Sequence, residues 1–210
     1  VVDTVTALLD TGVRSEDIAV LYRANFQSRV LEEAFLERNL RYQVLGTKFY
    51  DRREVKDILS YIRAALAPEN LGDIKRIINI PARGLGKVTI AKLFSGMKAD
   101  LPRGTQQKLA DFYELLSKIN SYIQEHAPSE IVTYVLKHSG IELLLKNGTA
   151  EEQERLENIG ELITLAKKYD ALPVETRLMK LLDDAALASD QDGLKDSSGG
   201  ERLMTVHAAK

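Results

Sequence analysis

Ile77–Phe94 reads IINIPARGLGKVTIAKLF. An apolar run meets Pro81, a Gly84-Leu85-Gly86 turn follows, and a second apolar run begins at Lys87 or Val88, so the spacing predicts two helices joined by a tight hairpin. Two glycines one residue apart permit positive φ and remove side chains that would hold a ligand off the backbone. The amides of Leu85 to Val88 are therefore expected to point outward together. A helix starting there adds unpaired N–H groups and the positive end of its dipole to the same spot. From Ile74 to Lys92 the chain carries Lys75, Arg76, Arg83, Lys87 and Lys92 and no acidic residue, within a chain of net charge -2. Backbone donors flanked by cations are what sequence-independent binding of a nucleic-acid backbone requires. The same pattern also fits a Gly-rich turn between two core helices whose Lys and Arg form a solvated face, and spacing alone leaves both readings open.

Outward from the hairpin, the 210 residues are 44% hydrophobic and 29% charged, an ordinary balance for one large or two small globular domains. There is no cysteine, so disulfides and thiolate metal sites are excluded, and His126, His138 and His207 are too scattered to form a ligand cluster. No apolar run reaches about 18 residues and no basic start precedes an apolar core, so neither a membrane span nor a secretion signal is expected and the reading is cytoplasmic. A start at Val1 and a stop at VHAAK read as an excised segment.

Before the hairpin, Val1–Leu9 is a short amphipathic helix that Gly12 can end. Asp17–Tyr22 (DIAVLY) is an apolar run of strand length, expected to be buried on both faces. Gln27–Arg38 follows as a helix with Val30, Leu31, Ala34 and Phe35 on one face, and Arg41–Leu45 is a second strand. Strand, helix, strand over so short a span is the pattern of a βαβ unit with a parallel sheet. Asp51 with Glu54 reads as a capping-box-like start, and Val55, Ile58, Leu59, Ile62 and Leu66 form a stripe at helical spacing that Pro68 closes.

Beyond it the pattern is helical throughout: Leu71–Asn79, Val88–Ser95, Thr105–Glu125, Ser129–His138, Ala150–Tyr169 and Val174–Ala188. The acidic cluster of Glu151, Glu152, Glu154 and Glu157 sits where a helix dipole favours it. Ser189–Gly200 (SDQDGLKDSSGG) has almost no apolar residue and reads as a linker, and Arg202–Val206 reads as a strand rejoining the sheet begun by DIAVLY. The expected fold is mainly α, with a helical body inserted into an incomplete α/β domain.

IPARGLGKVTIAKL resembles a helix-hairpin-helix that grips duplex DNA through its phosphates, and it is similar to the Gly-hydrophobic-Gly motif of the PcrA/UvrD family of superfamily 1 DNA helicases. Ile18–Phe35 (IAVLYRANFQSRVLEEAF) closely resembles the family segment with the pattern LYR-x-N-x-QSR, and Gly46–Asp57 (GTKFYDRREVKD) the segment after it. Arg155–Leu162 (RLENIGEL) resembles the Arg-x-Glu-Asn box, and Leu203–Lys210 (LMTVHAAK) the start of motif V. Four boxes and the hairpin, in family order, cover nearly the whole chain.

The resemblance implies a RecA-like 2A domain at residues 1–50 and 202–210, interrupted by a helical 2B domain at 51–201. It implies single-stranded DNA contacts at Arg23, Asn25 and Lys48, and duplex contacts at Arg83, Gly84, Gly86, Lys87 and Thr89. It also implies a role for His207 in coupling nucleotide to DNA. Ala82 stands where relatives often carry a basic residue, so either Lys87 substitutes or duplex affinity is lower. No G-x-x-x-x-G-K-[ST] loop is present, so this segment is expected to bind neither ATP nor Mg2+ and to be inactive alone, although its parent would use both as a 3'-5' DNA helicase of repair or replication. Two rivals remain: a module docking repair or transcription proteins, and part of a helicase-nuclease subunit.

Overall fold

The computed structural model describes residues 1–22, 27–40, 42–45, 48–96, 101–190 and 203–207. The chain is mainly α and divides into two compact units, Val1–Arg52 with Asp184–Lys210, and Arg53–Asp183.

The first unit holds helix α1 (Val2–Asp10), strand β1 (Ala19–Tyr22), helix α2 (Gln27–Glu37), strand β2 (Tyr42–Leu45) and strand β3 (Leu203–His207). Helix α1 ends at a left-handed Gly12 (φ +89), with the amide of Val13 returning to the carbonyl of Leu8 at 3.1 Å, a glycine C-terminal stop. The sheet is parallel in the order β1-β3-β2, with Ala19 opposite Met204 and Tyr22 opposite His207 on one side, and Tyr42 opposite Leu203 on the other.

Strand β1 is not buried on both faces. Val20 and Tyr22 are buried, whereas Ala19 is exposed and Leu21 is 66% exposed. The physical reason is that the covering helices contribute to one cluster, Val5 of α1 and Phe35 of α2 closing on Ile18 and Val20. A parallel strand is buried twice only when both faces of its sheet are covered. Phe35 stacks on Tyr42 at 5.5 Å and Leu31 packs beside them, but Val30, expected on this face, is 55% exposed.

The second unit is built around helix α3 (Arg53–Leu66), which is buried on most of its circumference. Val55, Ile58, Leu59 and Ile62 form the expected stripe, Leu66 lies at its exposed end, and Ser60, Ala64 and Ala65 are buried besides, small enough to let neighbours close on the other faces. Helices α4 (Leu71–Ile77), α6 (Arg103–Ile123), α7 (Pro128–His138) and α9 (Ala150–Asp170) all pack on α3. Helices α5 (Lys87–Phe94) and α8 (Ile141–Lys146) and the start of α10 (Val174–Asp190) also belong to this unit, and α10 ends at Asp190, beyond its expected end. The six-residue α8 carries too short an apolar pattern to be separated from its loop by spacing.

Several polar groups of this unit are paired within it. Glu54, read from spacing as a helix-start residue, faces inward and accepts a hydrogen bond from Asn158 Nδ2 at 2.6 Å. Arg63 pairs with Asp73 at 3.1 Å, and Asp170 of α9 receives both the amide and the hydroxyl of Ser129 at 3.0 and 2.6 Å. A capping box between Thr149 and Glu152 opens α9, with Arg155 paired to Glu151 on the surface at 2.6 Å.

Candidate nucleic-acid interface

The turn between α4 and α5 is tied from inside by Asn79. Its Oδ1 accepts the amide of Arg83 at 2.7 Å and that of Leu85 at 3.4 Å, which folds the loop over one side chain. Leu85, 1% exposed, inserts into the core as the plug of the turn. The Leu85 amide is therefore committed inward rather than pointing outward with its successors. Gly84 is left-handed at φ +69, where a side chain is strained, but Gly86 is extended at φ -72 and ψ 170, a conformation open to any residue. A Cβ on Gly86 would meet nothing within 4 Å, so what its glycine provides is bare backbone toward open space.

Gly86 is also the N-cap of α5, and no side chain caps that end. The first-turn amides of Lys87, Val88 and Thr89 thus lie at the positive end of a helix, with Lys87 and Val88 exposed and Thr89 half-buried. This end can receive an anion.

The five cations of the stretch do not act alike. Arg83, expected on the anion-binding face, turns its guanidinium inward. Nη1 lies within 3.0–3.3 Å of the carbonyls of Ile77, Ile78, Ile80 and Pro81, while Nη2 donates to Tyr61 Oη at 2.7 Å and to the Ser139 carbonyl at 3.3 Å. Its plane lies over Phe112 at 5.3 Å and Tyr61 at 5.9 Å. Burial raises the Tyr61 phenol above its ordinary value more than Arg83 lowers it, so the hydroxyl keeps its proton and donates it to the Ile80 carbonyl.

Arg76 is likewise occupied. Its Nε is 2.7 Å from Asp57 Oδ1, a close ion pair without hydrogen-bond alignment, and its Nη2 donates to the Arg53 carbonyl at 3.1 Å. Lys75 and Lys87 are exposed and Lys92 half-buried, and no ion pair holds any of the three among the described residues. Three lysines, not five cations, present charge to solvent.

The remaining expected site residues belong to the first unit. Lys48 precedes a 3-10 turn at Phe49–Asp51, where its carbonyl accepts the Asp51 amide at 3.0 Å. His207 ends β3 opposite Tyr22, and its side chain lies outside the described residues, as do Arg23 and Asn25 altogether. Spacing missed Asn79, Tyr61 and Lys108 of α6. Asn79 had a local signal, an amide side chain between a helix and a proline. Lys108 had none, because it reaches the turn from a helix distant in sequence. No described group of His, Asp or Glu is arranged to hold a metal, and no described helix is long and apolar enough to cross a membrane.

ATP-dependent DNA helicase PcrA of Staphylococcus aureus is 38% identical over 221 residues, covering 95% of this chain and 30% of that protein. The PcrA of Staphylococcus epidermidis is 35% identical over 219 residues with the same coverage. The chain thus spans 30% of the length of the curated relatives it matches. The pattern of the UvrD-like helicase C-terminal domain matches residues 1–210, and with relatives aligned over nearly all of its length, the chain belongs to that family.

Proposed function

We propose that this chain is the 2B domain and part of the RecA-like 2A domain of an ATP-dependent 3'-5' DNA helicase. The α4–α5 hairpin holds duplex DNA through its phosphates while 2A residues hold the translocating single strand. The observation that carries this reading is the uncapped start of α5: bare backbone at Gly86, a helix N-terminus and Lys87 converge on open space, on a turn braced from within by Asn79 and Arg83.

Gly86, Lys87 and Thr89 are the backbone-contacting residues, Gly84 gives the turn its left-handed step, and Arg83 supports the contact from behind. Arg23, Asn25 and Lys48 would meet the single strand, and His207 would couple it to nucleotide. The parent enzyme would take ATP and Mg2+ and act in the cytoplasm in repair or replication, whereas this segment by itself would be inactive. Partner proteins of repair or transcription would dock on the helical unit, where Leu143 and Leu144 of α8 are exposed.

The test is fluorescence-anisotropy binding of this chain to a hairpin duplex with a single-stranded tail across a salt series, beside Gly86→Asp. Duplex binding that falls steeply with salt and is lost in the variant is expected, since a carboxylate at the N-cap meets the phosphate it replaces. Equal binding by both proteins would remove the hairpin from the interface.

A further inference from the structure

The turn has a neighbour that the family motifs do not mark. A Cβ built on Gly84 would lie 2.8 Å from Lys108 Nζ, so the ammonium of an exposed α6 lysine rests against the hairpin backbone two residues before the α5 N-cap. The packing beneath holds it there. Phe112, one helical turn further along the same face of α6, is buried under the Arg83 guanidinium, and Leu109 beside it is buried too, so α6 is fixed against the turn.

The carboxylates of α6 nearest Lys108 have partners of their own. On α6, Asp111 accepts from Gln107 at 2.8 Å and Glu114 is paired with Lys118 at 2.7 Å, while the facing stretch Ile74–Lys92 contains no acidic residue. Among the described residues Lys108 has no ion pair. Gly104, one turn toward the start of α6 on the same row, would also meet nothing within 4 Å if given a Cβ. Lys108 is therefore bordered by bare backbone on its own helix as well as on the hairpin, and a polyanion can approach both.

We infer that Lys108 is a further phosphate contact for duplex DNA, placing a cation of α6 beside Gly84, two residues before the α5 N-cap. The inference rests on the reading of the hairpin as a duplex grip. It makes the grip a two-element surface, in which Gly84 leaves room for an ammonium as well as supplying a left-handed step.

Lys108→Ala, Lys108→Arg, Gly86→Asp and, as a control on α9, Lys167→Ala are compared for binding to a blunt duplex between about 50 and about 200 mM salt. One lost phosphate contact lowers the slope of log affinity against log salt by about 0.9, so the affinity lost across that range should shrink about 3.5-fold in Lys108→Ala. Lys108→Arg should restore the slope, Lys167→Ala should keep it, and thermal unfolding of Lys108→Ala should match the parent chain.

An unchanged slope in Lys108→Ala, with binding lost in Gly86→Asp, would overturn the inference and leave the hairpin reading standing. An equal loss in Lys167→Ala would overturn it as well, by showing that any lysine counts. Absence of duplex binding in the parent chain at low salt would overturn both.

Discussion

The inner and outer sides of the hairpin use positive charge in opposite ways. Inside, Arg83 spreads its forked donors over carbonyls and a phenol, and Arg76 donates to a carbonyl beside its ion pair with Asp57. Outside, Lys75, Lys87 and Lys108 carry compact ammonium groups with no ion pair among the described residues. A guanidinium loses less hydration on burial and satisfies several acceptors at once, whereas an ammonium is strongly hydrated and favours the surface. The lesson is that a basic stretch is sorted by side-chain type: arginines are taken up by internal acceptors and lysines face solvent.

Arg83→Ala tests that division most severely. It leaves the carbonyls of Ile78 and Ser139 and the hydroxyl of Tyr61 short of a donor in a half-buried site, so a loss of about 3 kcal/mol is expected in urea unfolding. Arg83→Lys should recover little, because one ammonium cannot span the same acceptors. Stability equal to the parent chain in Arg83→Ala would dissolve the distinction between the two sides.

Asp57→Asn gives a smaller, pH-dependent change. Burial raises the Asp57 carboxyl above its ordinary value of 3.8, more than Arg76 and Arg53 lower it. The folded chain therefore holds this proton more tightly than the unfolded chain. Its contribution to stability falls as pH rises from 3.8 through the raised value, and above that the cost of burying the charge is complete. The stability of the parent chain relative to Asp57→Asn should accordingly decline with rising pH across that window, measured by urea unfolding at a series of pH values. A difference that grows with pH would mean that the Arg76 pairing outweighs burial.

Lys87→Ala should move stability least, by no more than about 0.5 kcal/mol, as for an exposed side chain without a buried partner. Its effect belongs to binding, where the salt slope should fall by about 0.9. Destabilisation comparable to that of Arg83→Ala would place Lys87 on the inner side.

The sequence carried the elements because their patterns are local. The stripe Val55, Ile58, Leu59 and Ile62 defines α3, and prolines at 68, 128 and 173 punctuate the helices around it. What could not be read was which partner each polar side chain would meet. Nothing near Glu54 signals Asn158, 104 positions away, and Asp57 is absent from the stretch whose Arg76 it neutralises. A count of charges along Ile74–Lys92 gives five cations, and tertiary pairing withdraws two. Strand β1 failed for a related reason: an apolar run reports what can be buried, and only the packing of α1 and α2 decides which of Leu21 and Val20 is.

Strand β3 lies between β1 and β2, yet it follows both in the chain, with the whole of Arg53–Asp183 intervening. During synthesis from the N-terminus, β1 and β2 emerge without the strand that joins them and make no ladder with each other. Their backbone donors and acceptors stay open while the helices from α3 to α10 are made. The sheet is thus completed late, and anything that delays the helical unit lengthens the time for which two open strand edges wait to pair with the wrong neighbour.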